Sequence, residues 1–221
     1  DLLLRVSVLK TGAQQYQIVF SSHHILLDGW CMGIVFEDLF EIYGKLKNHE
    51  PVPHKKVTQY RELIRWLEKQ DPKETEQYWK QYLAGYEGHA KIPGAKTARG
   101  GDYKLEEVRC SLDETLTRQF NQFAREHHLT LNNVFQTIWG LMLQRYNHTD
   151  DVVFGSVVSG RNKDIPRIQE IVGLFINTIP VRVKASGDNR FIDLAKQVQQ
   201  AALASEPYDY ASLTDIQKAA Q

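Results

Sequence analysis

The chain has 221 residues, enough for one large or two small domains with a substantial buried core. Its 27 basic and 27 acidic residues cancel, so neither a nucleic-acid backbone nor an anionic membrane surface is implied as a partner, and no apolar run is long enough to span a bilayer. Two cysteines, Cys31 and Cys110, stand far apart without a CxxC pair, which argues against a disulfide framework or zinc ribbon and suits a reducing cytoplasm.

The opening residues, DLLLRVSVLK, alternate as a strand does and lack a signal peptide's basic start and cleavage site, so the sequence reads as starting inside a domain. Leu2 to Leu9 and Gln15 to Ser22, joined across Thr11 and Gly12, predict an antiparallel pair. A helix is expected from Trp30 to about Lys47, with Val35, Leu39, Ile42, Tyr43 and Leu46 at helical spacing and Cys31 in its buried part. Beyond Pro51 and Pro53, the segment Thr58 to Lys69 places Tyr60, Leu63, Ile64 and Leu67 on one helical face. Asp71, Pro72 and Glu74 then read as N-cap, first-turn proline and capping-box acid of a helix that stops at Gly85.

Gly85, Gly88, Gly94, Gly100 and Gly101, with Pro93 and no apolar periodicity, predict an exposed linker up to Asp102. A strand is expected near Tyr103 to Ser111, then a helix with Leu112, Leu116, Phe120 and Phe123 inward, then one capped by Thr130 with Val134, Ile138, Leu141 and Tyr146 inward. Val152 to Val158 is apolar on both faces, as in a central strand covered by helices. Phe175 to Lys184 predicts a further strand and Phe191 to Ala204 a helix. Mixed strands and helices indicate an α/β sandwich, divided here into residues 1–95 and 96–221.

The segment Ser22 to Gly29, SHHILLDG, brings two imidazoles and a carboxylate to the point where an apolar strand hands over to a helix. A lone histidine is usually a satisfied core residue, but a His-His pair at a strand end followed by Asp-Gly points to chemistry. Consecutive residues of an extended segment face opposite ways, so His23 and His24 should not share a target. That argues against a shared metal. His24 and Asp28 have four-residue spacing, yet Gly29 is a poor helix-interior residue and no third ligand is evident, so no metal is expected. Asp28 reads either as a helix N-cap or as the partner of an arginine.

The heptapeptide HHILLDG resembles the HHxxxDG signature of the condensation domains of nonribosomal peptide synthetases, a branch of the chloramphenicol acetyltransferase-like superfamily. Two further segments in the right order are similar to motifs of that family: Asp151 to Arg161, a strand ending in VSGR, and Val172 to Arg182, VGLFINTIPVR. Between the histidines and these segments, the region from Tyr60 to Trp79 is similar to the family's aromatic and charged helical region. The family's HQDYPFE-like motif is only loosely echoed by Ser205 to Tyr210. Epimerization relatives resemble HHxxxDxxSWR, unlike the Trp30-Cys31-Met32-Gly33 found here, and heterocyclization relatives carry aspartate at the place of His23.

The resemblance implies a two-lobed α/β sandwich, of which this chain holds the end of the first lobe, with its HHxxxDG loop and connecting helices, and most of the second, with the site between lobes. It also implies amide formation between an upstream aminoacyl or peptidyl thioester and the amine of a downstream aminoacyl thioester. No cofactor is then bound by the domain itself. Each substrate rides on the 4'-phosphopantetheine arm of a peptidyl carrier domain, an adenylation domain lies in the same multidomain chain, and the protein works in the cytoplasm with neither nucleic acid nor membrane as partner. An α-amino group titrates near 8 and an unperturbed imidazole near 6.5, so a histidine can take the proton shed as the nitrogen attacks, a transfer that typically contributes ~10²–10⁴ in rate.

By the same resemblance His24 faces the channel, as a base or as a positioning and oxyanion-stabilising group, while His23 fills a polar pocket behind the loop. Asp28 organises the loop, and Gly29 either offers its N–H to a substrate carbonyl or simply permits a turn. Asn177 and Thr178 line the channel or satisfy a strand end. Ser159 and Arg161 end the central strand, with Arg161 on a phosphopantetheine phosphate or tying the lobes together. Arg182 is an ion-pair candidate for Asp28 or another buried carboxylate. The alternatives within this set are a coenzyme A-dependent acyltransferase of the same fold and a non-catalytic carrier-docking module.

Overall fold

The computed structural model describes residues 2–88, 90–92, 107–185 and 187–220. Strand β1 (Leu4–Lys10) pairs antiparallel with β2 (Tyr16–Ser22), Val6 opposite Phe20 and Val8 opposite Ile18, so one face of the hairpin is continuously apolar. Helix α1 (Gly29–Lys47) follows, then α2 (Arg61–Leu67), α3 (Pro72–Tyr82), α4 (Glu114–Glu126) and α5 (Leu131–Asn147). Strand β3 (Asp151–Val158) is hydrogen-bonded to β4 (Asn177–Lys184), and α6 (Phe191–Ser205) and α7 (Leu213–Ala219) complete the order.

Two compact units share this chain: Asp1–Pro72 with Val157–Asn177, and Lys73–Ser156 with Thr178–Gln221. The first has a core of Leu63, Ile165, Ile168, Ile171 and Phe175, with Tyr60, Trp66 and Leu67 packed against it. In the second, α5 and α6 cover β3 and β4 through Leu143, Val152, Val181, Val183, Leu194 and Val198. A cluster of Ala124, Leu129, Val134 and Ala195 ties α4 to the same pair of helices. Thr130 and Asp113 cap α5 and α4 by accepting the backbone N–H of Asn133 and Leu116, which fixes where each helix begins.

Several expectations need correction. Val152, Phe154, Ser156 and Val158 are at least partly covered on one face and Asp151 and Val153 on the other, while Gly155 and Val157 are exposed, so the second face of β3 is covered only over its first half. Leu112, Leu116 and Tyr146 are exposed, whereas the helical period had placed them inward. The second helix is shorter than expected, Arg61–Leu67 against Thr58 to Lys69, and α7 was not foreseen. The expected boundary at residue 95 lies outside the described residues, as do much of the linker and residues 103–106 of the strand near Tyr103 to Ser111. The described part of that strand, residues 107–111, is not in a sheet.

In the second unit Arg182 closes a clamp of its own. Its guanidinium donates to both carboxylate oxygens of Asp151, at 2.9 and 2.6 Å, and to the carbonyls of Tyr82 and Ala84 at 3.1 and 2.9 Å. The two side chains are only 13% and 15% exposed. The Asp151 hydrogen bonds hold the Arg182 guanidinium above its ordinary value. Arg182 is therefore the partner of Asp151 and not of Asp28.

Candidate active site

Strand β2 ends at Ser22, and the pairing continues one residue further, where the backbone N–H of His23 donates to the Leu3 carbonyl at 2.7 Å. The chain then turns, with Leu26 N–H donating to the His23 carbonyl at 3.1 Å. His23 is exposed rather than sunk in a pocket behind the loop, and its Nδ1 accepts the backbone N–H of Ile25 at 3.1 Å. With Nδ1 an acceptor, a neutral His23 carries its proton on Nε2. His24 is exposed and makes no hydrogen bond to a described residue, so both its ring nitrogens are open to a substrate.

Four residues on, the surroundings reverse. Asp28 is 1% exposed. It does both things the sequence allowed, capping α1 by accepting the Cys31 N–H at 3.3 Å and meeting an arginine. That arginine is Arg161, whose Nη2 lies 3.4 Å from Asp28 Oδ1, with the side chains 1% and 0% exposed. The other carboxylate oxygen, Oδ2, accepts the N–H of Phe175 at 3.0 Å and of Ile176 at 3.4 Å. Burial pushes the Asp28 carboxyl up, but the Phe175 N–H, the Cys31 thiol and the Arg161 guanidinium together outweigh it and hold the group below the usual carboxylate value.

Arg161 is fully committed on its other side. Its Nη1 donates to the carbonyls of Ile168 and Ile171, both at 2.9 Å, its guanidinium lies 4.1 Å from the Phe175 ring centroid, and its Nε has no partner among the described residues. So enclosed, it cannot meet a pantetheine phosphate, and its place in the expected channel set is withdrawn. Ser159 is exposed next to it, its Oγ accepting the Arg161 N–H at 3.4 Å. Between them Gly160 takes φ +67°, and a Cβ there would stand 2.1 Å from the Phe175 carbonyl oxygen, so only glycine lets the two backbones approach.

The turn from Gly173 to Ile176 is the point on which these groups converge. Tyr60 O–H donates to the Leu174 carbonyl at 2.6 Å and its ring stands edge-on to Phe175. A Cβ on Gly173 would lie 1.9 Å from Tyr60 Cδ2. Burial, with the nearby Asp28 charge, pushes the Tyr60 hydroxyl up and keeps it protonated. From the first turn of α1, Trp30 Nε1 donates to the Gln169 carbonyl at 3.0 Å. The loop carrying His24 is thus anchored through a buried polar cluster to residues 161–176, which lead directly into Asn177.

Asn177 begins β4 and Thr178 follows it in the second unit, both half-buried, with the Thr178 methyl against Gly155 of β3. Gly29 is exposed at the start of α1, with open space where a side chain would be. Among the described residues no three His, Cys, Asp or Glu side chains are grouped to hold a metal, and no helix is long and apolar enough to cross a membrane. Sequence reasoning missed Cys31, Tyr60 and Asp151 as polar partners, because each lies on an apolar or helical pattern that reads as packing.

The family model for the condensation domain matches residues 1–221. The chain belongs to the condensation domain family. It is 46% identical over 218 residues to gramicidin S synthase 2 of Brevibacillus brevis, 45% to bacitracin synthase 3 of Bacillus licheniformis and 44% to surfactin synthase subunit 2 of Bacillus subtilis (strain 168). Each match takes in 98–99% of this chain but only 5%, 3% and 6% of the relative. The mixed α/β fold is that of solved condensation-domain structures. The X-domain from teicoplanin biosynthesis superposes with a TM-score of 0.83 at 19% identity, over 100% of this chain and 51% of that one. The first condensation domain of the calcium-dependent antibiotic synthetase superposes with a TM-score of 0.70 at 20% identity, over 99% and 51%.

Proposed function

We propose that this condensation domain joins an upstream aminoacyl or peptidyl thioester to the amine of a downstream aminoacyl thioester, each tethered by 4'-phosphopantetheine to a peptidyl carrier domain, within a multidomain synthetase that also holds an adenylation domain. The observation that carries the reading is the contrast along one short loop. The His24 imidazole is exposed and makes no hydrogen bond to a described residue, while Asp28 four residues later is enclosed by Arg161, Cys31, Phe175 and Ile176. A catalytic imidazole needs free nitrogens on an immobile support, and this arrangement supplies both.

The amine attacks the thioester carbonyl carbon and a C–N bond forms. His24 accepts the hydrogen bond of the attacking N–H and takes its proton as the nitrogen becomes acidic. As the intermediate collapses the C–S bond breaks, the sulfur leaves as thiolate, and the proton passes from the imidazolium to that thiolate, so the domain is unchanged after each turnover. Asp28 moves no proton, because it is buried, ionised and saturated with donors. His23 keeps the loop turned through Ile25. Asn177 and Thr178, with Ser159 and the Gly29 N–H, are assigned to holding the substrates. A reducing cytoplasm suits the two free thiols, Cys31 buried and Cys110 exposed.

The test loads donor and acceptor carrier domains with aminoacyl groups, adds the complete domain, and looks for the dipeptidyl thioester. Product with the parent and a large loss with His24→Ala is the expected result. No product from the parent overturns the function, and undiminished product from His24→Ala removes His24 from it.

A further inference from the structure

We propose that Cys31 is a positioning residue for amide formation, its thiol being the joint through which the His24 loop is held against the Gly173 turn; the inference rests on the function proposed above. Cys31 is wholly buried and stands in the first turn of α1. Its sulfur touches three separate stretches of chain. It accepts the Gly173 N–H at 3.3 Å and the Arg161 Nη2 at 3.3 Å, and it can donate its one S–H proton to the Gly173 carbonyl at 3.1 Å or to Asp28 Oδ1 at 3.2 Å.

These contacts matter because neither neighbour has slack to replace them. Gly173 is pressed from the other side by the Tyr60 ring, so its backbone cannot turn away to find another acceptor for its N–H. On Arg161, among the described residues, Nε already lacks a partner and Nη2 has only the thiol and an Asp28 oxygen at 3.4 Å. An apolar side chain at position 31 leaves the Gly173 amide bare and the guanidinium held by one long contact in a site closed to water. The groups that move in response are Asp28 and the turn it grips through Phe175 and Ile176. Asp28 ends the loop that begins with His24, so the displacement reaches the imidazole, and a misplacement of about 1 Å costs on the order of 10²-fold in rate.

Valine removes the polarity of the site while adding about one methyl of bulk, and serine retains a donor and an acceptor. In the complete synthetase, with carrier domains loaded, Cys31→Val is expected to lower kcat about 10- to 100-fold with the KM for the acceptor carrier unchanged, and Cys31→Ser to recover to within about threefold of the parent. A control, Val134→Ala, opens a cavity in the second unit's core and is expected to lower the melting temperature without changing kcat. An active parent with a Cys31→Val variant of equal kcat overturns the inference. So does a serine variant as slow as the valine one, a KM that rises while kcat holds, or a valine variant that fails to fold while serine folds, which would make the thiol a matter of stability alone. A parent that forms no amide overturns the function and this inference with it.

Discussion

Replacing Asp28 with Asn keeps the shape of the side chain and removes its charge, in a place where every partner is a donor. Oδ2 receives the N–H groups of Phe175 and Ile176, and Oδ1 receives the Cys31 N–H and faces Arg161 Nη2. An amide offers one oxygen and one NH₂, so whichever way it is turned, one pair of donors meets another donor. The Arg161 charge is at the same time left without a counter-ion, both side chains being 1% exposed or less. Removing one member of such a pair costs about 3–5 kcal/mol, and at about 2–4 °C per kcal/mol for a protein of this size the melting temperature should fall by about 6–20 °C. Urea unfolding of the complete domain at neutral pH measures the loss.

The pH dependence of the same pair of proteins sharpens the test. The folded state holds the Asp28 carboxyl below its ordinary value, so its stabilisation is complete above the unfolded value near 3.9 and is lost as pH falls through the folded one. The gap between parent and Asp28→Asn should be widest near pH 7 and should close below about pH 4. A loss under about 1 kcal/mol, or a gap independent of pH, would refute the argument that a buried, ionised Asp28 organises the loop.

Two further perturbations probe the support on which the site rests. Gly173→Ala drives a methyl into the Tyr60 ring and should destabilise by about 1–3 kcal/mol, while in a Tyr60→Ala background the same change should cost clearly less, a coupling read from a double-mutant cycle of unfolding free energies. Arg182→Met strips Asp151 of a two-pronged partner and the α3 end of two donors. It should cost about 2–3 kcal/mol in thermal unfolding, nearly independent of salt because the pair is mostly shielded from solvent.

Local patterns were legible in the sequence and distant partners were not. Alternation in residues 2–22 yields the hairpin, and the caps at Asp28 and Thr130 mark two helix starts, because these signals lie within a few neighbouring residues. Arg161 stands 133 residues from Asp28, and nothing in its local pattern says whether a strand-end arginine turns inward to a carboxylate or outward to a phosphate. The ionic role considered for Arg182 went to Asp151, an acid placed at the start of β3 by an entirely local pattern. Tyr60 was counted with an apolar helical face, yet it precedes the helix and its hydroxyl meets Leu174. The HHxxxDG loop was recognisable because its chemistry is contiguous, whereas its anchorage is assembled from four separate stretches of chain.

The central claim is that the exposed His24 imidazole, and not its neighbour His23, receives the proton of the attacking amine. Single-turnover rates of dipeptidyl thioester formation, measured for the parent, His24→Ala and His23→Ala in the complete synthetase with saturating loaded carriers, test it most directly. His24→Ala should be slower by about 10²–10⁴-fold, and His23→Ala by a smaller factor reflecting a loosened turn at Ile25. A His24→Ala rate within about threefold of the parent, or a larger loss in His23→Ala than in His24→Ala, would contradict the account.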